Sequence, residues 1–122
     1  MTSSATKIGV TLDCPDPEVV AVFWKKFLGY ERRPGKTGGP YVTLDKPEGG
    51  SGPAQVAFQR VPEPKTSKSR VHLDLFVEHA RPIMEDMIAA GASLLETIEA
   101  GEWTTRILQD PAGNEFCLIG PD

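Results

Sequence analysis

The chemistry-capable side chains of this 122-residue chain are few: two histidines, His72 and His79, and two cysteines, Cys14 and Cys117. His72 and Asp74 sit two apart in Val71-His72-Leu73-Asp74-Leu75. An imidazole titrates near neutral pH and transfers a proton when a substrate proton lies within reach. His72 therefore reads as an acid/base or ligand-binding group, or as a structural histidine hydrogen-bonded across a sheet. Asp74 orients it, binds a cationic ligand, or is a solvated strand residue. Cys117 reads as a buried small hydrophobe, or as a nucleophile if His72 depresses its pKa. Trp103 offers an aromatic wall for a flat ligand or simply packs. His79 falls in a turn. The Cys and His residues form no CxxC or HxxxH pair, and HExxH, GxSxG and GxxxxGK[ST] are absent. The run Glu48-Gly49-Gly50-Ser51-Gly52-Pro53 has no strand before it or helix after it, so it reads as a flexible loop.

The elements that must position these residues come from periodicity. Ile8, Val10 and Leu12 alternate with Gly9, Thr11 and Asp13, which predicts a half-buried strand. Asp16 is placed to cap a helix with Pro17 at its first position. Val19, Val20, Phe23, Trp24, Phe27 and Leu28 recur at helical spacing up to Gly29, and Trp24 is read as core. The pattern repeats. Val71, Leu73, Leu75 and Val77 alternate with His72, Asp74 and Phe76. A helix follows, with Pro82 near its start, Ile83, Met84, Met87, Ile88 and Ala90 in its stripe, and Gly91 at its close. Three short strands are predicted after each helix: Tyr30–Arg33, Tyr41–Leu44 and Gln55–Val61, then Ser93–Thr97, Trp103–Gln109 and Glu115–Ile119. The polar, Pro-rich Pro62–Ser69 reads as a linker. The expectation is one domain over 7–120, built of modules 7–62 and 70–120.

One helix covers only one face of its sheet. Ile8, Val10, Leu12, Val56, Phe58, Val71, Leu73, Leu75, Phe116 and Leu118 are assigned to the helix side. Gly9, Thr11, Asp13, Ala57, Gln59, His72, Asp74, Glu115 and Cys117 then take the other face. That mostly polar face either meets water or lines a cleft enclosed by the two modules. With a cleft, Tyr41 and Gln59 line its mouth, and Asp13 either organises its turn or contributes to the groove.

Composition narrows the function. Thirteen basic against seventeen acidic residues give a net charge of −4, which argues against nucleic acid and mildly favours a neutral or cationic small ligand. No apolar run approaches the roughly 18 residues of a membrane span. Met1-Thr2-Ser3-Ser4-Ala5-Thr6-Lys7 lacks the apolar centre of a secretory signal. Two cysteines are too few for a disulfide scaffold, so reduced thiols and a cytoplasmic setting are expected.

Leu12-Asp13-Cys14-Pro15-Asp16-Pro17 with Phe23-Trp24-Lys25-Lys26-Phe27-Leu28-Gly29-Tyr30 resembles the first half of the glyoxalase/bleomycin-resistance/extradiol-dioxygenase superfamily, the vicinal oxygen chelate fold. Val71-His72-Leu73-Asp74-Leu75, Gly91-Ala92 and Asp110-Pro111-Ala112-Gly113-Asn114-Glu115-Phe116 resemble its second half. The resemblance covers about residues 7–120 and is nearest to the compact bacterial glyoxalase-like branch. It implies an α+β fold: two βαβββ modules forming an open, U-shaped mixed sheet around a cleft, commonly in a homodimer. It also implies four cleft positions able to hold a metal, which fall on Gly9, Ala57 (or Gln59 with a register slip), His72 and Cys117. Only His72 is a usual ligand type. The usual acid is missing at 117, and Glu115 is displaced by ~7 Å along the strand.

The expectation is therefore a small-organic-molecule protein with no cofactor and no complete divalent-metal site. It is either a lyase- or isomerase-type enzyme with His72 as acid/base, or a binding protein without chemistry, of the antibiotic-sequestering kind. Asp13, Tyr41, Gln59, Asp74, Trp103 and Cys117 are the expected ligand contacts.

Overall fold

The computed structural model describes residues 4–122; Met1-Thr2-Ser3, part of the polar opening read above as lacking a leader, lies outside them. The chain divides into two compact units, one ending at Pro64 and one running from Lys65 to Asp122. Each has the order strand, helix, three strands, so the fold is α+β with two βαβββ modules.

In the first unit, β1 (Gly9–Cys14) leads into α1 (Pro17–Leu28), followed by β2 (Glu31–Arg32), β3 (Tyr41–Asp45) and β4 (Gln55–Arg60). The helix starts and stops where local chemistry dictates. The Asp16 carboxylate accepts from the Glu18 N–H, Pro17 occupies the first turn, and Gly29 adopts φ 68°, donating its N–H to the Lys25 carbonyl. The sheet order is β1-β4-β3-β2, with β1 and β4 parallel and the other pairs antiparallel. Val20, Phe23 and Trp24 of the helix are buried, as are Val42, Leu44, Val56 and Phe58 of the strands. Trp24 is 1% exposed, as core placement requires.

The second unit repeats the plan. It contains β5 (Leu73–Phe76), α2 (Ala80–Ala89), β6 (Ser93–Ala100), β7 (Trp103–Gln109) and β8 (Glu115–Gly120), in sheet order β5-β8-β7-β6. β5 and β8 are parallel; β8–β7 and β7–β6 are antiparallel. Met87, Leu108, Phe116 and Leu118 form its core. The turn Asp110–Asn114 is organised by the Asp110 carboxylate, which accepts from the N–H groups of Ala112 and Asn114. Arg106, buried among these apolar residues, places Nη1 2.7 Å from the Asp122 carboxylate, which also pairs with Arg81 of α2.

Several boundaries differ from the sequence expectation. β1 and β5 begin after Ile8 and His72, so Ile8 and Val71 precede the ladders and are 70% and 81% exposed rather than turned to the helices. Alternation assigns faces only where a ladder holds the pleat. Val19 and Ile88 are also exposed, because the helical stripe is wider than the arc that the sheet covers. α2 starts at Ala80, which puts Pro82 in the first turn, where the missing N–H has no intrahelical partner to lose.

Candidate functional site

Register settles which residues share the helix-free face of each sheet. In the first unit, Asp13 pairs with Gln59 and Gln59 with Tyr41, so three expected ligand contacts form one row across β1, β4 and β3. The neighbouring row is Thr11, Ala57 and Thr43. Arg33 closes the far end with two hydrogen bonds to Asp45 and one to Gln55. A hollow of about 430 Å³ in this unit, lined by Lys7, Lys46 and Gly52–Ala54, involves none of the predicted residues.

The second unit carries the denser chemistry. Asp74 pairs with Cys117 across β5 and β8, and Cys117 with Ile107 of β7. His72, immediately before β5, turns its ring back so that Nε2 lies 3.2 Å from Asp74 Oδ1. Ligand atoms of His72, Asp74 and Cys117 all lie within 4.8 Å of one another. Both His72 and Asp74 reach solvent, whereas Cys117 is buried. An imidazole nitrogen beside a carboxylate carries the ring proton when the ring is neutral, which leaves Nδ1 as the proton acceptor. Burial pushes the Cys117 thiol pKa up, and the neighbouring Asp74 carboxylate pushes it further, against a smaller opposing pull from Lys68. The depressed thiol that a nucleophile requires is thus replaced by its opposite, and Cys117 holds its proton.

Beside this cluster lies a hollow of about 470 Å³. Its floor is Ile107 and Gln109 of β7, with Leu95 and Glu96 of β6, and residues 65–68 form its wall. Leu95 enters it because a bulge shifts the β6–β7 register between Leu94 and Glu96. The wall is latched by Glu115. That carboxylate accepts from the backbone N–H and hydroxyl of Ser69 and lies 2.9 Å from the Lys65 ammonium. Burial alone raises the Glu115 pKa, but these donors outweigh it and bring it down to about 2. The linker read as a spacer is therefore anchored to the sheet at both ends of residues 65–69. A pairing 46 residues apart in sequence leaves no periodic signal.

Toward the other end of the same face stand Phe76 and Trp103, ring centroids 6.3 Å apart in an edge-on arrangement. They are 67% and 49% exposed. Trp103 is thus half exposed and packs edge-on against Phe76 instead of entering the core. Phe76 is not among the expected ligand contacts, although its alternation with Leu75 already puts it on this face.

The four metal positions implied by the resemblance do not supply a metal centre of that type. Gly9 and Ala57 have no donor side chain, and Gln59 is one row away beside Asp13 and Tyr41. What remains is confined to His72 and Cys117, with Asp74 added, and the thiol would first have to surrender a proton that burial and Asp74 hold on it.

Comparison with known proteins agrees with the architecture. A glyoxalase/bleomycin resistance protein/dioxygenase family enzyme from Burkholderia phytofirmans PsJN is 20% identical, covers 93% of this chain and 97% of its own, and superposes with a TM-score of 0.72. A glyoxalase-related enzyme from Fulvimarina pelagi is also 20% identical, covering 95% and 88%, with a TM-score of 0.68. A glyoxalase/bleomycin resistance protein from Albidiferax ferrireducens T118 is 19% identical, covering 97% and 100%, with a TM-score of 0.63. At these identities the likeness is one of fold. No curated protein matches the chain. Residues 9–119 match the family described as glyoxalase-like domain, and the chain, built of two βαβββ units, belongs to that family, within the vicinal oxygen chelate superfamily.

Proposed function

We propose that this protein binds a small organic molecule on the helix-free face of its second unit and transfers a proton to and from it through His72, without a full metal site. The observation that carries the reading is the His72–Asp74 pair at 3.2 Å, solvent-accessible and next to the 470 Å³ hollow. Asp74 holds the ring with Nδ1 as the base and stabilises the imidazolium that forms when Nδ1 takes a proton. Cys117, protonated, serves as a weak hydrogen-bond donor and not as a nucleophile. A base that removes a proton and returns it suits isomerisation or elimination, the lyase- and isomerase-type chemistry expected from the sequence. A homodimer and a cytoplasmic setting belong to the same proposal; among the described residues no helix is long and apolar enough to cross a membrane.

One observation favours a second reading, a binder without chemistry: the exposed Phe76–Trp103 pair grips a ligand but moves no proton. A thermal-shift screen of small organic compounds followed by turnover assays separates the two. For the enzyme, His72→Gln keeps ligand binding and loses roughly 10²–10⁴ in turnover. If a ligand is bound and never converted by the wild type, the binder reading replaces the enzyme. Elemental analysis of protein purified without chelator tests the metal-free part; about one tightly held divalent ion per chain overturns it.

A further inference from the structure

We infer that the ligand of this face is a flat aromatic compound carrying a positively charged or hydrogen-bond-donating group, with its ring against Phe76 and Trp103 and its donor on Asp74. The inference rests on the proposed site and specifies what it takes. Successive residues on one face of a strand are ~7 Å apart, so Asp74 and Phe76 on β5 set the spacing between the polar and the aromatic contact. Across the sheet the same division holds. The row through Phe76 continues with Ile119, Thr105 and Ile98, while the row through Asp74 continues with Cys117, Ile107 and Glu96.

Two exposed aromatic rings side by side on a strand face cost hydration and contribute nothing to the core, which marks them as a contact surface. Their edge-on arrangement leaves a ring face for a flat partner, favourable for an aromatic ring and, beside a cation, for the positive charge as well. The polar end selects a donor. Of the charged groups on this face, Lys65 is held by Glu115, and Lys68 lines the same hollow as the oppositely charged Glu96. Asp74 has the imidazole of His72 at 3.2 Å and the protonated Cys117 thiol beside it, and neither a neutral imidazole nor a thiol cancels the carboxylate charge. The chain's net charge of −4 works in the same direction.

The test uses three probes of similar size: tyramine (ring and ammonium), 4-hydroxyphenylacetate (ring and carboxylate) and 2-cyclohexylethylamine (ammonium without the aromatic ring). Trp24 is buried in the first unit, so probe-induced changes in tryptophan emission report on Trp103. Tyramine is expected to quench or shift that emission saturably, and to bind at least tenfold tighter than either companion. Calorimetry should show Asp74→Asn bringing tyramine and 4-hydroxyphenylacetate to equal affinity, and Phe76→Ala bringing tyramine down to the cyclohexyl amine. Both positions are solvent-exposed, so neither substitution removes core packing. Equal affinity for all three probes in the wild type, tighter binding of the carboxylate, or no binding overturns the inference. So does Trp103 emission that changes with protein concentration alone, which would mean a second copy covers the rings. His72→Gln leaves these preferences in place, so loss of turnover in that variant with the preferences intact supports both readings. Turnover that survives His72→Gln refutes the proton-transfer reading alone.

Discussion

Glu115 is the most exacting check on how the second unit is built. Its carboxylate is 10% exposed and holds residues 65–69 through Ser69 and Lys65. Its pKa is about 2 in the folded protein against an ordinary 4.5. A depressed carboxylate pKa adds stability that is fully present above the unfolded-state value and is lost as pH falls through the folded one. At 1.36 kcal/mol per unit the displacement corresponds to at most about 3.4 kcal/mol near neutrality, and to about 2–3 kcal/mol once solvent screening of the partly exposed Lys65 is allowed for. Glu115→Gln keeps the shape and the acceptor for Ser69 but removes the charge. Urea unfolding at pH 7 should therefore show the variant less stable by about 2–3 kcal/mol, as a shift in midpoint with an unchanged slope. At pH 3 the unfolded carboxyl is already protonated while most of the folded population is not, so the difference should shrink to about 1–1.5 kcal/mol. A difference below about 0.5 kcal/mol at pH 7, or one independent of pH between 7 and 3, would refute the anchoring role of Glu115.

Two further outcomes concern loop and strand closure. Tyr30 is buried and donates its hydroxyl to the Pro53 carbonyl at 2.6 Å, with the Ser51 carbonyl at 3.0 Å, so Tyr30→Phe leaves that glycine-rich loop untied and should cost about 1–2 kcal/mol in chemical denaturation. Gly120 ends β8 where a Cβ would stand 2.1 Å from the Val77 carbonyl oxygen, so Gly120→Ala must move backbone and should lower the melting temperature by several degrees or abolish soluble expression; an unchanged melting temperature would contradict the close approach.

The fold was legible because its signals are local. Asp16, Pro17 and Gly29 bound α1 by capping chemistry, and the alternation from Val10 to Leu12 and from Leu73 to Leu75 separates the faces wherever a ladder exists. His72 and Asp74 were legible as a pair because two residues is the strand period. Their meeting with Cys117 follows from parity plus the parallel register of β5 and β8, and register is not written in either strand alone. The anchoring of residues 65–69 by Glu115 and the contact of Phe76 with Trp103 depend on pairings between segments far apart in the chain. Of the two readings of Cys117, the buried small hydrophobe agrees with its burial, whereas the nucleophile alternative required a depressed thiol pKa that burial and the adjacent Asp74 oppose; the sequence places a histidine nearby but does not show that Asp74 stands next to the sulfur.

The internal duplication carries its own argument about where the chemistry resides. Val10 pairs with Val56 as Leu73 pairs with Phe116, which aligns the two modules residue by residue. On that alignment Gly9 stands where the second unit has His72, Thr11 where it has Asp74, and Ala57 where it has Cys117. All three positions that form the polar cluster in one copy are therefore without an ionisable side chain in the other. A Cβ at Gly9 would come within 2.9 Å of the Gln55 side chain, so a bulkier residue there would have to displace Gln55, which already takes a hydrogen bond from Arg33. The first module has filled the corresponding space with an Arg33–Asp45–Gln55 network and moved its ligand-capable groups one row along, to Asp13, Gln59 and Tyr41. Both histidines of the chain, His72 and His79, lie in the second module, so the proposed proton transfer through an imidazole falls to that copy.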